Sequence, residues 1–385
     1  MQKLETETTI EYPPQSTRLE ASLLENSEKF HINNLEEARN KVIEALAVSE
    51  PVKKELKLTL AGFELSHYDL NQGKEKEIID TYGHLQRLVN DTNDAGLPQF
   101  VRRRIALALA KNLEDPWNID QAEFGLCGYS GVQRLVYKRH PALAAKLVAD
   151  AATQIRYNTV DDLPVLLDKG DLWTSNAEQR SPDDRVFQAV AQNLTLQHGP
   201  KTLADIFGVS RKNLRYISGP AGEKVIDVTG QKVLDAVESN LLLRRQAPGF
   251  VQAYQQITGE FTDPVYLSGS ETDVIENDEL RPLMYISDQK QLRRTLVNLQ
   301  QGGFLPIILG VDSDKEPFLT DKEGVRTDGR HAVVLTAFDT ERDEASVDNS
   351  WGKNKDHSGK LPDEKARIKL DDLFQALKSH GEPSK

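Results

Sequence analysis

The single cysteine, Cys127, constrains this 385-residue chain more than any other feature of its sequence. One cysteine cannot form an intramolecular disulfide, and the absence of a second thiol excludes a cysteine-based zinc site. A chain of this length can bury a large core, and it exceeds the size at which one core usually stops growing. The fold must therefore be held together by packing alone, and thiol chemistry has one possible centre.

The charge of the chain limits its partners. The formal net charge is −12 and the sequence pI is near 5.3, whereas binders of nucleic acid or anionic membranes normally carry a basic face. The N-terminus has no apolar signal segment, and the longest compact apolar run, Phe304 to Val311, is too short to span a bilayer. We expect a soluble protein with no nucleic-acid or membrane partner. It would act in the cytoplasm or reach a host or target cell by a signal-peptide-independent route.

Hydrophobic periodicity separates a polar leader from a helical region. Residues 1–33 mix Pro13-Pro14 with Glu, Ser, Thr and Asn, a composition that predicts a flexible leader. From Asn34 onward, apolar residues recur at intervals of three and four, and four helices are predicted before residue 112. We interpret residues 34–112 as an N-terminal antiparallel helical region.

Residues 113–385 change from helical to strand-like patterns. Helices are predicted after Cys127 and over Ala142 to Ile155. Residues 158 to about 300 are interpreted as a helical insertion, with helices near Val186 to Leu196 and Val233 to Arg245. Beyond Gln291 the period shifts towards two, which predicts an antiparallel sheet. Its predicted strands are Phe304 to Val311, His331 to Phe338, Ala345 to Asp348 and Ala366 to Leu370. The expected fold class is α+β.

Three stretches carry the residue types of thiol catalysis: residues 121–128, 329–335 and 347–352. A thiol becomes a strong nucleophile when an imidazole takes its proton and a third group orients that imidazole. Cys127, His331 and Asn349 can fill these roles, and a helix N-terminus would lower the thiol pKa of Cys127. The Gln121 side-chain amide and the Cys127 backbone N–H could stabilise an oxyanion.

These stretches resemble the papain-like cysteine peptidases. Gln121 stands six residues before Cys127, His331-Ala332-Val333 matches the start of the histidine strand in that family, and residues 349–352 read Asn-Ser-Trp-Gly. The order Cys, His, Asn is also the family order. The resemblance implies a papain-like fold in which a helical half carries the cysteine and an antiparallel β half carries the histidine and the asparagine.

This sequence differs from the family pattern in the spacing between the cysteine and the histidine. Cysteine and histidine are roughly 130 to 150 residues apart in that family, whereas 331 minus 127 is 204 here. We therefore expect residues 113–385 to form the catalytic domain, with the insertion inside it. Gly128 replaces the aromatic residue that usually follows the nucleophile.

Two further residues of this pattern have supporting roles. Consecutive strand residues face opposite sides, so only one of Asp348 and Asn349 can meet His331. The resemblance favours Asn349, which makes Asp348 a solvated or salt-bridged neighbour. It also implies that Trp351 shields the His–Asn hydrogen bond from water.

The resemblance implies a cysteine protease that acts on proteins through an acyl-enzyme on Cys127. A deamidase or acyltransferase (transglutaminase-type) effector of the same fold remains an alternative. The triad only forms the acyl-enzyme, and the group that accepts the acyl group decides which product is formed. A non-enzymatic helical interaction protein is another alternative. No cofactor is expected, and the scattered histidines predict no metal site.

One pattern points elsewhere. Thr202 to Leu214 has the spacing of a helix-turn-helix, and Arg211, Lys212 and Arg215 would form its basic face. Helix hairpins with a glycine turn are common in helical cores, and one such unit in an acidic chain does not change the expectation of no nucleic-acid partner.

Overall fold

The computed structural model belongs to the α+β class. It describes residues 35–67, 74–120, 126–173, 180–199, 208–219, 222–230, 249–261, 265–269, 283–313, 317–318, 330–349 and 366–380. The predicted leader lies outside these ranges, as do Gln121, Trp351 and the helix expected near residues 233–245. In the described part of the chain, no helix combines the length and apolar character needed to cross a membrane.

The first four helices confirm the periodicity of residues 34–112. They are α1 (Leu35–Leu46), α2 (Glu50–His67), α3 (Lys74–Asn90) and α4 (Gln99–Glu114). Their apolar residues recur at helical spacing and are buried where α1 meets α3, α2 meets α4, and α3 meets α4. The four helices are not isolated from the rest, because α3 also packs along a later helix, α6 (Pro141–Gln154).

The central helices are α5 (Cys127–Arg139), α6 (Pro141–Gln154) and α8 (Pro182–His198). Every residue of α8 from Asp183 to Gln197 is buried, because α4, α5 and α6 surround it together with α9 (Gly249–Thr258). One hydrophobic cluster runs from Ala38 in α1 through these helices to Val334 in the sheet. The N-terminal helices therefore share a core with the rest of the described chain.

The segment interpreted as a helical insertion also contains strands. Strands β1 (Arg156–Asn158) and β2 (Pro164–Leu166) form one hairpin, followed by the short helix α7 (Lys169–Leu172). Strands β3 (Leu214–Gly219) and β4 (Gly222–Asp227) form a second hairpin.

The described residues do not form the second helix that a helix-turn-helix would have after Gly208. Residues 211–213 form only a single 3-10 turn, and Leu214 then begins β3. Pairing with β4 satisfies the backbone of this segment, and Arg215 is buried rather than exposed on a basic face. The first half of the pattern, through Phe207, lies outside the described residues.

A six-stranded sheet of order β10-β9-β8-β7-β5-β6 completes the fold. The strands are β5 (Tyr266–Ser268), β6 (Leu283–Tyr285), β7 (Ile307–Asp312), β8 (Arg330–Asp339), β9 (Glu344–Asp348) and β10 (Ala366–Lys369). Strands β7 to β10 confirm the four predicted strands, and they pair in antiparallel fashion.

Two features of this sheet differ from the prediction. Strand β5 pairs in parallel with both β6 and β7, so the sheet is mixed rather than antiparallel. The region after Gln291 is also less β-rich than expected, because it contains most of α10 (Gln289–Gln301) and all of α11 (Leu370–His380). These helices belong to the second hydrophobic cluster on one face of the sheet, while Ile308, Ala332 and Val334 belong to the first cluster on the other face.

Candidate active site

Helix α5 begins at Cys127, as the sequence predicts. Leu126 precedes the helix with non-helical backbone angles, and its carbonyl accepts the first helical hydrogen bond from the Ser130 N–H at 2.8 Å. The thiol is half-buried at this end. Unpaired amides and the helix dipole at an N-terminus favour a thiolate over a thiol.

The cysteine-bearing face of α5 is turned towards the sheet. Residues four and seven positions after Cys127, Gly131 and Arg134, lie on the same helix face. A Cβ on Gly131 would lie 3.1 Å from Ile308 Cδ1 in β7, and Arg134 Nη1 lies 2.8 Å from Asp348 Oδ2 at the end of β9. Because β8 lies between β7 and β9, this face of α5 packs across β8, whose second residue is His331.

His331 and Asn349 are in direct contact. The His331 Nε2 atom lies 2.8 Å from Asn349 Oδ1, and the imidazole is 4% exposed. An amide oxygen can only accept, so Nε2 must carry the proton in this hydrogen bond. In a neutral imidazole, this tautomer makes Nδ1 the acceptor nitrogen, which is the form that a general base requires.

Asp348 faces a different partner from its neighbour. Its carboxylate pairs with the Arg134 guanidinium, and both side chains are 1% exposed. Asp348 is thus a salt-bridged neighbour and not a solvated one. Burial lowers the pKa of Arg134, and the charges of Asp348, Asp184 and Asp120 oppose that shift.

Ile119 and Asp120, the last described residues before Gln121, are held by hydrogen bonds from α5 and α8. Arg134 Nη2 donates to the Ile119 carbonyl at 2.7 Å. The Asp120 N–H donates to Asp184 Oδ2 at 3.1 Å, and Gln188 Nε2 donates to the Asp120 carbonyl at 3.2 Å. These bonds fix the two residues that lead into Gln121.

A buried pair of aspartates holds Asp120 in place. The sequence does not predict this pair. Asp183 and Asp184 are fully buried in the first turn of α8. Asn112 Nδ2 donates to both carboxylates, Tyr137 Oη donates to Asp183, and Gln133 Nε2 donates to Asp184.

Burial raises the pKa of both groups, and the charge of Asp183 raises that of Asp184 further. The motif Ser181-Pro182-Asp183-Asp184 is typical of an exposed helix start, and its burial depends on tertiary contacts.

Arg134 was also missed. Its signal in the sequence is a charged residue within a helix, seven positions from the cysteine and therefore on the same face. That spacing alone does not distinguish a solvent-exposed arginine from a buried one. Its role becomes visible only when the end of β9 is placed beside it.

Among the described residues, no group of three or more His, Cys, Asp or Glu side chains could hold a metal ion. The described residues of the site place a thiol at a helix start and an imidazole in contact with an amide. Comparisons with protein-family models, curated proteins and solved structures find no significant match to this chain.

Proposed function

We propose that this chain is a papain-like thiol hydrolase, specifically a cysteine peptidase that cleaves proteins through an acyl-enzyme on Cys127. The observation that supports this most strongly is the part-buried 2.8 Å contact between His331 Nε2 and Asn349 Oδ1. It lies on the strand that packs against the helix begun by Cys127. A buried, oriented imidazole with Nδ1 as its acceptor is what a cysteine nucleophile requires.

The packing of α5 on the sheet is consistent with a meeting of thiol and imidazole. Arg134 lies seven residues after Cys127, about 10 Å along the helix axis. Its partner Asp348 is paired in register with Val334. His331 lies three residues before Val334, about 10 Å along β8. Cys127 and His331 thus lie on two elements that pack against each other, each about 10 Å along its own element from that contact.

In the proposed reaction, His331 Nδ1 takes the Cys127 proton and the thiolate attacks the substrate carbonyl carbon. The Cys127 backbone N–H and the Gln121 amide donate to the oxyanion. His331 then gives the proton to the leaving amine as the carbon–nitrogen bond breaks, which leaves a thioester on Cys127. His331 next deprotonates a water molecule that attacks the thioester carbon. The carbon–sulfur bond breaks, the acid product is released, and the Cys127 thiolate is regenerated beside the protonated His331.

We extend the proposal to the fold. Residues 113–385 would form the papain-like catalytic domain, with α5 in its helical half and β7 to β10 in its β half. Residues 34–112 would be a helical region that packs on it, and Trp351 would shield the His331–Asn349 bond. The substrate would be a protein, encountered in the cytoplasm or in a cell into which the chain is delivered.

The proposal is tested by comparing cell proteins exposed to the wild type and to Cys127→Ala by mass spectrometry. New peptide termini that require Cys127 would support a peptidase. A mass increase of about one dalton at glutamine would instead identify a deamidase, and new amide linkages would identify acyl transfer. His198→Gln is the matched control, because this histidine lies elsewhere, with Nε2 2.8 Å from the Pro164 carbonyl oxygen. Identical products from the wild type and Cys127→Ala would contradict the proposal and favour an interaction protein.

A further inference from the structure

Arg134 has the most unusual environment of the charged residues near the site. It is one of the largest fully buried side chains in the described chain, and it lies in the middle of α5. Burying a guanidinium is costly unless it is paired and hydrogen-bonded. Its partners therefore indicate what is gained by keeping it there.

Those partners come from both sides of the site. Arg134 Nη1 lies 2.8 Å from Asp348 Oδ2, and Nη2 donates to the Asn349 carbonyl at 3.4 Å. The same Nη2 group donates to the carbonyl oxygens of Ile119 at 2.7 Å and Trp117 at 3.3 Å. One planar guanidinium thus joins the helix that begins at Cys127, the loop that leads to Gln121 and the strand end that carries Asn349.

We propose that Arg134 is a positioning residue that fixes Asn349 and the segment from Trp117 to Ile119 relative to the helix start at Cys127. The inference rests on the proposed function, because it assigns Arg134 to the geometry of that site. Arg134 acts through Asn349, whose main chain it binds and whose side chain meets His331.

The chemistry of the guanidinium suits this task better than that of other side chains. Its donors lie in a rigid plane and fix the directions of several acceptors at once, whereas a lysine ammonium is a point charge on a flexible stem. Well-packed apolar residues in place of a buried ion pair are often equally stable. The advantage of Arg134 over such residues is therefore geometric.

The test uses two variants and one matched control. Arg134→Lys keeps the charge and loses the planar fork, while Arg134→Met combined with Asp348→Leu removes the pair and leaves no buried charge. Arg139→Lys is the same substitution at the other end of α5, where the guanidinium binds the Phe304 and Pro306 carbonyl oxygens. Thermal unfolding, turnover, and the alkylation rate of Cys127 by iodoacetamide at pH 6 are measured for each.

We expect the double variant Arg134→Met/Asp348→Leu to keep the thermal midpoint of the wild type. Its turnover should fall on the order of 10²-fold, as for a small misplacement of catalytic groups. Cys127 alkylation at pH 6 should fall in both Arg134 variants and not in Arg139→Lys. Adding Asn349→Ala to Arg134→Lys should have little further effect, because both changes act on the same imidazole.

The outcomes separate this inference from the proposed function. If wild-type Cys127 is no more reactive at pH 6 than a free thiol, the proposed function is overturned and this inference with it. If the wild type is reactive and the folded Arg134 variants match it, the inference fails and the proposed function stands. If the double variant Arg134→Met/Asp348→Leu cannot fold, the ion pair is needed for stability, and the inference is also overturned.

Discussion

The two nitrogens of the His331 imidazole have different surroundings, and the difference sets their roles. Nε2 donates to Asn349 Oδ1, and in the proposed mechanism Nδ1 exchanges a proton with the thiol. Removing the imidazole removes the base, whereas removing the amide only frees the ring to rotate and change tautomer.

His331→Ala should therefore lower turnover by at least ~10³-fold, and Asn349→Ala should lower it less. Initial rates on the substrate found by mass spectrometry measure both effects, with His198→Gln as the control histidine variant. A larger loss from Asn349→Ala than from His331→Ala would show that the third residue of the site has been assigned the wrong role.

Gln121 should act only in the transition state, because its amide is expected to donate to the oxyanion. Gln121→Ala should lower turnover by ~10²- to 10³-fold with little change in the Michaelis constant. Alkylation of Cys127 should be unchanged, since that reaction forms no oxyanion. Normal turnover, or a parallel loss of turnover and alkylation, would remove Gln121 from the mechanism.

The pair Asp183 and Asp184 should make stability depend on pH. Their pKa values are raised by burial, so the folded chain holds a proton that the unfolded chain loses above the ordinary aspartate pKa of about 3.9. The free energy of unfolding contributed by the pair is therefore complete below that pH. It falls as the pH rises towards the raised pKa of the pair.

Asp183→Asn should flatten this dependence and raise stability at neutral pH. Ser181 and Tyr137 donate hydroxyl protons to Asp183, and hydroxyl groups can instead accept from a new amide. The partners of Asp184 are N–H donors from Asn112, Gln133 and Asp120, so Asp184→Asn should destabilise the fold.

Urea unfolding between pH 4 and 8 measures the free energy of unfolding of both variants. If its slope against pH is unchanged in Asp183→Asn, the pair does not hold the additional proton in the folded chain.

At the scale of elements, the residues packed against the first turn of helix α5 leave no room for a side chain at position 128. A Cβ on Gly128 would lie 2.4 Å from Phe250 Cδ1. The Phe250 ring is itself held edge-on by Tyr129 and Tyr266. The small residue after the cysteine is therefore explained by the position of Phe250 in α9.

Gly128→Ala should lower the free energy of unfolding by about 1 to 3 kcal/mol, the usual cost of overpacking. Gly83→Ala in α3 is the matched control, because nothing lies within 4 Å of the added Cβ. It should stabilise by about 0.5 to 1 kcal/mol, as expected for glycine replaced within a helix. Denaturant unfolding measures both, and similar effects at the two positions would contradict the close contact with Phe250.

The sequence predicted elements best where their period was long and regular. Helices α1 to α6 and strands β7 to β10 were found from spacing alone. Helix α10 was missed although Leu292, Thr295, Leu296 and Leu299 recur at helical spacing and are buried. Strands β5 and β6 are three residues long, too short for a periodic signal, and their parallel pairing depends on contacts distant in sequence.

At the scale of the molecule, the sheet carries His331 and Asn349 and packs against the helix that begins at Cys127. One face packs against α5 and the central helices, and the other packs against α10 and α11. The contact between His331 and Asn349 was predicted from residue type and order, whereas the catalytic role of Cys127 stays a prediction. The Arg134–Asp348 pair and the buried Asp183 and Asp184 were not predicted, because each depends on elements far apart in the chain.

The pH dependence of Cys127 alkylation tests the central proposal most directly. The chain has one cysteine, so iodoacetamide reports on this thiol alone. A thiol paired with His331 at a helix start should react rapidly well below the ordinary cysteine pKa of about 8.5, and His331→Ala should return the profile to that range. A wild-type profile centred near about 8.5 and unchanged by His331→Ala would contradict a thiol–imidazole pair at this site.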